Sequence, residues 1–181
     1  MRSTAEARRA VVLDRAVSAF ARNGYHATPV TAVAAAAGIS EAYALRLFSG
    51  KQGLFVAAVE ACYEKILATL EAAAEAAPDR EPAKLLEWLG DAYAELIADR
   101  DLLLFQVHAQ SVSDIPEVRA AVQAGYKRLV SFLRTTADAD DQQIQQFVAY
   151  GQLCHLIVTA GLDGVDESWA RALTNGMRHV P

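Results

Sequence analysis

Cysteine is scarce in this 181-residue sequence. The two cysteines, Cys62 and Cys154, lie far apart, without a CxxC pair and without histidines at metal-ligand spacing. They therefore indicate neither a disulfide framework nor a zinc site, and we expect two ordinary thiols buried in helices.

Long apolar runs are missing as well. No stretch of about 18 apolar residues free of charge occurs, which argues against a membrane-spanning helix. The first residues, MRSTAEARRAVVLDRAV, interrupt every apolar segment with charge and leave no continuous core for a secretory signal. We therefore expect a cytoplasmic protein with no membrane partner.

Catalytic and cofactor motifs are also lacking. The chain has no glycine-rich phosphate loop, no metal-binding motif and no Ser-His-Asp order, and its acidic residues are spread over polar faces. The sequence thus favours a binding protein over an enzyme and implies no metal and no cofactor. A helical enzyme is the alternative that turnover assays would reveal.

What the chain does have is apolar residues at helical spacing along nearly its whole length. Sustained alternation is absent, so the pattern predicts an all-α fold of about nine helices. The predicted helices cover residues 4–23, 29–37, 41–48, 52–77, 82–98, 100–110, 115–136, 141–162 and 166–178.

The second and third helices are short and close together. Thr28 and Pro29 have the residue types of an N-cap and a first turn, and Ser40 can cap the third helix. A turn of three residues that begins with Gly38 separates the two helices. This arrangement is typical of a helix-turn-helix unit, although glycine turns between short helices also occur in many other α-helical proteins.

Charge is distributed unevenly around this unit. Residues 1–55 contain seven Lys or Arg against three Asp or Glu, a net charge of +4, whereas the whole chain has a net charge of −5. A basic end on an acidic chain indicates an anionic partner for that end.

The third helix, EAYALRLF, divides by helical phase. Ala44 and Phe48 are four residues apart and are expected to face inward, which leaves polar side chains outside. The phenol of Tyr43 can donate to a phosphate, the guanidinium of Arg46 suits a phosphate or a guanine, and Lys51 adds a charge nearby.

The stretch VLDRAVSAFARNGYHATPVTAVAAAAGISEAYALRLFSGKQGLFVAAV, residues 12–59, closely resembles the DNA-binding region of TetR/AcrR-type transcriptional regulators. It keeps the family's order of F-A-x-x-G-Y, a threonine before the second helix, A-x-x-A-G-[IV]-S, R-x-F and K-x-x-L-F. By position, the resemblance implies DNA contacts from Thr28, Thr31, Glu41, Ala42, Tyr43, Arg46 and Lys51.

The chain departs from the commonest family pattern at two positions. Where many members have T-L-Y-x-H-F, this chain has Y-A-L-R-L-F, so Leu45 replaces the usual phosphate-binding tyrosine and Leu47 the usual histidine. We expect Tyr43 to take over part of that role. The second helix is rich in alanine, so readout would use few base contacts and DNA shape.

The resemblance further implies an N-terminal three-helix head, residues 4–51 with the motif at about 29–48, and a larger helical body for ligand binding and dimerisation, residues 52–181. Helix 52–77 would be the connector. The implied function is a homodimeric repressor that binds a palindromic double-stranded operator and is released by an unknown small-molecule effector. A regulator-like interaction protein without specific DNA binding is the alternative.

In the family, the body encloses a ligand pocket whose occupation tilts the fourth helix and moves the heads apart. The candidate pocket residues here, each with an ordinary core role as its alternative, are Trp88, Tyr93, Phe105, His108, Tyr126, Phe147 and Tyr150.

The last two long helices mix small residues with large apolar ones, which permits close helix approach across a two-fold axis. They are similar to the family's four-helix dimer interface, and a central buried helix is the alternative. The candidate interface residues are Gly151, Leu153, His155, Val158, Leu162, Trp169 and Leu173.

Overall fold

The computed structural model describes residues 4–177, and within them it contains nine α-helices and no strand. The helices are α1 (Thr4–Ala27), α2 (Val30–Ala36), α3 (Glu41–Phe48), α4 (Lys51–Ala76), α5 (Pro82–Ile97), α6 (Arg100–Ser111), α7 (Pro116–Thr136), α8 (Asp141–Ala160) and α9 (Ser168–Thr174). A 3-10 turn, Leu162–Gly164, precedes α9. The all-α fold predicted from the apolar spacing is confirmed.

Glycines in the left-handed region mark two of the helix ends. Gly24 has φ 71° and ψ 177°, so the regular part of α1 stops at the predicted residue and a last turn follows it to Ala27. Gly161, with φ 65°, ends α8 at Ala160 and not at the predicted residue 162. The last helix is shorter than predicted because Asn175 leaves the helical conformation, and the predicted end at residue 178 lies outside the described residues.

The chain divides into two compact units, delimited as Met1–Glu64 with Asp101–Gly125, and Lys65–Arg100 with Tyr126–Pro181. In this division α6 and the first half of α7 group with the N-terminal helices. The separation into a DNA-binding head, 4–51, and an effector body, 52–181, concerns function and stays a prediction.

An aromatic cluster forms the core of the first unit. Phe20 and Phe55 meet edge to face with ring centroids 4.8 Å apart, and Phe55 meets Phe105 at 5.2 Å. All three rings are fully buried. Aromatic pairs of this geometry add about 0.5–1.5 kcal/mol each beyond the area that they bury. The cluster fixes α1, α4 and α6 to one another and thereby supports the short helices between α1 and α4.

The second unit packs α5 against α8. Leu85 and Leu89 are buried on α5, and Ile157 is buried on α8. The start of α8 is held by a capping box, in which the Asp140 carboxylate accepts from the Gln143 backbone N–H and the Gln143 side chain accepts from the Asp140 N–H. This box satisfies two backbone N–H groups at the start of the helix, those of Asp140 and Gln143.

Two global properties of the described chain bear on function. Within residues 4–177, no single helix is long and apolar enough to cross a membrane. The bent pair α2–α3 reaches the required length and apolar composition only when its two helices are counted together. In the same range, no three His, Cys, Asp or Glu side chains gather as metal ligands. Both Cys62 and Cys154 are buried, and burial raises the pKa of Cys154.

Candidate nucleic-acid interface

The helices α2 and α3 form a helix-turn-helix. Their axes are bent by 106°, within the range of about 90–120° that is typical of the unit. Gly38, with φ 67°, provides the left-handed residue of the turn, and the Ile39 N–H closes it on the Ala34 carbonyl oxygen at 3.0 Å. The hydroxyl of Ser40 accepts from the Tyr43 N–H at 3.2 Å and so caps α3, as predicted.

Buried side chains seat α3 on its neighbours. Ala44 is fully buried and Phe48 is 5% exposed, and Val33 of α2 is buried beside them. The guanidinium of Arg9, on α1, lies over the Phe48 ring at 4.5 Å from its centroid. The inward orientation of Ala44 and Phe48 is therefore confirmed, and Arg9 is a basic neighbour of α3 that no local sequence signal identified.

One side of α3 carries the exposed apolar side chains Ala42 and Leu45, which are three residues apart and therefore neighbours on the helix surface. Ser49, the left-handed C-cap that follows the helix, is also exposed, and we call these three residues the stripe. Glu41 is exposed near the N-terminal end of this stripe. Leu45 is 37% exposed, which makes it one of the few large apolar side chains open to solvent in the described chain.

Tyr43 and Arg46 are neighbours on one flank of that stripe. The Arg46 guanidinium carbon lies 5.6 Å from the centroid of the Tyr43 ring, with Arg46 exposed and Tyr43 half-buried. Stacking on a ring restricts the motion of the guanidinium and leaves its N–H donors available for other partners. The pair can therefore offer a phenol and a guanidinium together to an anionic group.

Thr28 lies inside the fold. Its side chain is fully buried, and its hydroxyl donates to the carbonyl oxygen of Gly24 at 2.7 Å and lies 3.2 Å from that of Ala19. The predicted N-cap role of Thr28 is wrong, because Pro29 occupies the N-cap of α2 and no side chain caps that helix. The position that the family resemblance assigned to DNA contact thus has no free hydroxyl here.

Lys51 lies at the first residue of α4 and is directed toward the end of α1. Its ammonium donates to the His26 carbonyl oxygen at 3.0 Å and lies 5.0 Å from the Tyr25 ring centroid. A lysine near the last turn of a helix interacts favourably with the negative end of the helix dipole.

Thr31, like Glu41, Ala42 and Arg46, is exposed, so four of the seven predicted DNA contacts are open to solvent.

The predicted pocket residues are divided between the two units, with Phe105 and His108 in the first unit and the others in the second. Phe105 is buried in the aromatic core of the first unit, and the His108 ring packs against Gly24, where an added Cβ would lie 3.2 Å from its Nδ1. In the second unit, Trp88 and Tyr150 are exposed, Phe147 is half-buried, and the Trp88 indole N–H donates to the Ala73 carbonyl oxygen at 2.9 Å.

Two polar pairs join α5, α7 and α8 inside the second unit. The Tyr93 hydroxyl lies 2.8 Å from Nε2 of His155, and the Gln152 amide donates to the Tyr126 hydroxyl at 2.9 Å. His155 is 3% exposed, and no group in the described chain hydrogen-bonds its buried Nδ1. Burial lowers the pKa of His155 to about 4, so the ring is neutral at pH 7.

An open depression of about 630 Å³ lies elsewhere in the second unit, between the end of α7 and the start of α8. It is lined by Arg134, Asp138, Ala139, Asp140, Asp141 and Gln142, and none of the predicted pocket residues belongs to it. Its lining contains three aspartates and is open to solvent except at the buried Ala139, unlike an enclosed apolar ligand pocket.

The candidate dimer residues differ in exposure. His155 and Leu162 are buried within the second unit, and Trp169 of α9 is 51% exposed. Tyr150 and Leu156, which are 52% and 49% exposed, are large apolar side chains of α8 that the interface predicted from the sequence omitted. Their spacing of six residues places them about 120° apart around the helix, so helical periodicity did not identify them as one face.

Comparisons with known proteins agree with this architecture. Residues 12–58 match the family described as "Bacterial regulatory proteins, tetR family". No curated protein sequence matches the chain significantly.

Solved structures match over nearly the whole length. A TetR-like transcriptional regulator from Rhodococcus sp. RHA1 is 20% identical over 96% of this chain and 94% of its own, with a TM-score of 0.66. The fatty acid degradation regulator FadR from Bacillus halodurans is 18% identical over 99% and 100%, with a TM-score of 0.68.

The TetR-like transcriptional regulator LfrR from Mycobacterium smegmatis, in complex with proflavine, is 20% identical over 98% and 100%, with a TM-score of 0.64. The matched family and these structures are transcriptional regulators and not enzymes. Residues 12–58 thus match the TetR-family DNA-binding region, which confirms the resemblance seen in that part of the sequence, and the chain as a whole has the fold of TetR-like transcriptional regulators.

Proposed function

We propose that this chain is a ligand-responsive DNA-binding regulator. As a homodimer it binds a palindromic operator, represses transcription there, and is released when a small-molecule effector binds its helical body. The observation that carries the proposal is the α2–α3 pair, bent by 106°, whose second helix keeps its apolar side inside and leaves Arg46 exposed on its outer side.

In this function α3 enters the major groove. Arg46 contacts a phosphate or a guanine through its planar fork, and Tyr43 donates its phenolic proton to a phosphate. Thr31, Glu41 and Ala42 are exposed beside the groove. Two predicted contacts take other roles: Thr28 stabilises the turn before α2 from inside, and Lys51 contributes mainly positive potential from the end of α1.

The direct experiment is the selection of duplexes from a random-sequence pool with the purified full chain. The selected duplex should bind with an affinity that falls as salt rises, because phosphate contacts release counterions. Arg46→Ala should raise the Kd about tenfold or more, the effect of losing one bidentate contact. Tyr43→Phe should raise it about tenfold or more, because a hydrogen bond to a charged group contributes about 1.5–3 kcal/mol.

Arg80→Ala is the matched control, since Arg80 is an exposed arginine between α4 and α5. It should leave the Kd unchanged. If folded Arg46→Ala and Tyr43→Phe proteins bind the selected duplex as tightly as wild type, the assignment of these contacts is wrong. If no duplex is enriched even at low salt while the protein is an intact dimer, the chain is a regulator-like interaction protein without specific DNA binding.

The dimer is proposed to form through α8 and α9. Tyr150, Leu156 and Trp169 are each about half exposed, and the small residues Ala149 and Ala160 beside them permit close approach of a second copy. Exposed apolar groups of this kind are typical of interfaces, and a two-fold axis is the commonest symmetry. A two-fold dimer also presents two copies of α3, which a palindromic operator requires.

The effector is proposed to bind among the partly buried aromatic groups of α5, α7 and α8. Tyr93, Tyr126 and Phe147 line this region with the neutral His155, and together they offer apolar area with a few polar groups. The complex of LfrR with proflavine shows that a protein of this fold binds a small molecule. A panel of apolar compounds should contain members that raise the thermal midpoint and release the selected duplex.

Repression and location complete the proposal. A reporter gene placed behind the selected operator should be expressed less when the wild-type chain is present, and an increase would make the protein an activator. A cytoplasmic location agrees with a function on chromosomal DNA and is checked by fractionation.

A further inference from the structure

Leu45 is an exposed apolar side chain in the stripe of α3, at a position where water would solvate a polar side chain more favourably. Leu45 is 37% exposed, and its neighbours in the stripe, Ala42 and Ser49, are also exposed. The guanidinium of Arg46 does not cover it, because that group lies over the Tyr43 ring on the flank of the stripe. Leu45 therefore offers bare apolar area on one side of α3, between the buried Phe48 and the exposed Arg46, at the edge of the surface that faces DNA in the proposed function.

Leucine has no donor or acceptor, so Leu45 cannot contact a phosphate through a hydrogen bond. In the major groove, the C5-methyl group of thymine is the apolar feature among the edges of the four bases. A leucine side chain that reaches this methyl removes both groups from water, whereas the same side chain against cytosine, guanine or adenine desolvates polar atoms. The chemistry of Leu45 thus selects one base.

We propose that Leu45, with Ala42 beside it, contacts thymine methyl groups in the major groove and makes thymine a specificity element of each operator half-site. The proposal rests on the DNA-binding function proposed above and adds the base that is read. Tyr43 then positions α3 on the backbone, Arg46 contacts a phosphate or a guanine as above, and Leu45 with Ala42 adds discrimination for thymine.

Leu47 provides an internal comparison within α3. It is also a leucine, but it is half-buried and lies on the other side of Arg46, away from the stripe of Ala42, Leu45 and Ser49. A contact with thymine methyl groups therefore belongs to Leu45 and not to leucines of α3 in general.

The test uses the duplex selected from the random pool with the wild-type chain. Each dT in its half-sites is replaced in turn by dU, which removes only the C5-methyl group and keeps the base pair. For wild type, dU at the contacted position should raise the Kd about fourfold, the effect of about 0.8 kcal/mol for one buried methyl group. The other dT positions should respond by less than about twofold, within the range of indirect effects.

The variants locate the contact. Leu45→Ala should bind the dT duplex more weakly and should respond to dU by less than about twofold, because the methyl group has lost its partner. Leu45→Met keeps the apolar contact and should retain the response, and Leu47→Ala should retain it as well. Circular dichroism and nonspecific binding at low salt confirm that each variant is folded.

The outcomes separate this inference from the function on which it rests. If the wild-type chain enriches no duplex, the DNA-binding proposal fails. If it enriches a duplex whose half-sites contain no thymine, or one for which every dU replacement leaves the Kd unchanged, the role of Leu45 is overturned while DNA binding stands. A Leu45→Ala protein with the full response to dU would overturn it too.

Discussion

Gly53, in the first turn of α4, allows the start of that helix to lie against the end of α3. A Cβ added at Gly53 would overlap the carbonyl oxygen of Phe48, the last residue of α3. Because the overlapping atom belongs to the backbone, no side-chain rotation relieves it, and α3 or α4 has to shift. Gly53→Ala therefore tests the junction that fixes the end of the proposed recognition helix.

The magnitude follows from comparison with Gly90 on α5, where an added Cβ meets no atom within 4 Å. Gly90→Ala should raise the free energy of unfolding by about 0.5–1 kcal/mol, the intrinsic preference of a helix interior for alanine. Gly53→Ala has the same intrinsic gain but adds overpacking of about 1–3 kcal/mol. The two variants should differ by that overpacking cost, with Gly53→Ala the less stable.

Urea unfolding followed by circular dichroism measures both free energies, and binding of the selected duplex gives a second readout. Gly53→Ala should also bind the duplex more weakly, since the shift that relieves the overlap moves Phe48, whereas Gly90→Ala should bind it normally. Equal stabilisation by the two substitutions would show that the close approach of Gly53 to Phe48 is not a property of the folded protein.

Two further predictions concern the second unit. The pKa of His155 is lowered from 6.5 to about 4 in the folded chain, so the unfolded chain binds the extra proton first as pH falls. The free energy of unfolding should therefore decrease by up to about 3 kcal/mol as the pH falls from 6.5 to 4. Urea unfolding at a series of pH values measures this decrease, and His155→Gln should remove it. Parallel pH profiles for the variant and wild type would contradict the prediction. Leu156→Lys places a charge in the proposed dimer face and should shift the protein from dimer to monomer in analytical ultracentrifugation. The control Lys127→Ala, at an exposed position of α7, should leave the dimer unchanged. If the Leu156→Lys protein stays dimeric, α8 is not part of the interface.

The helix-turn-helix could be found in the sequence because its signals are local. Gly38 is needed for the left-handed turn residue, Ser40 for the cap, and Ala44 with Phe48 for the buried side of α3, and all four have these roles in the structure. Each depends on backbone conformation or on spacing within a few residues. Such features are readable without knowledge of the rest of the chain.

Thr28 shows where position in a motif is insufficient. A threonine before a helix predicts an N-cap, but the break at Gly24 turns a carbonyl oxygen toward Thr28, and the hydroxyl donates to it inside the fold. His155 is a second example: its place in an apolar helix indicated a candidate for the dimer interface, and the packing of α5 against α8 buries it beside Tyr93. Gly24 lies outside the Thr28–Pro29 pair that predicted the cap, and Tyr93 is 62 residues from His155 in the sequence.

The sequence by itself determined the all-α class, the approximate bounds of nine helices and the family of the N-terminal region, because helical spacing, glycine conformations and caps are properties of neighbouring residues. The tertiary structure decided which side chains are available for function. It buried Thr28, directed Lys51 to the end of α1, stacked Arg46 on Tyr43 and left Leu45 exposed. Exposure depends on which helices pack together, and that packing joins residues such as Phe20, Phe55 and Phe105, whose separation along the chain hides their contact.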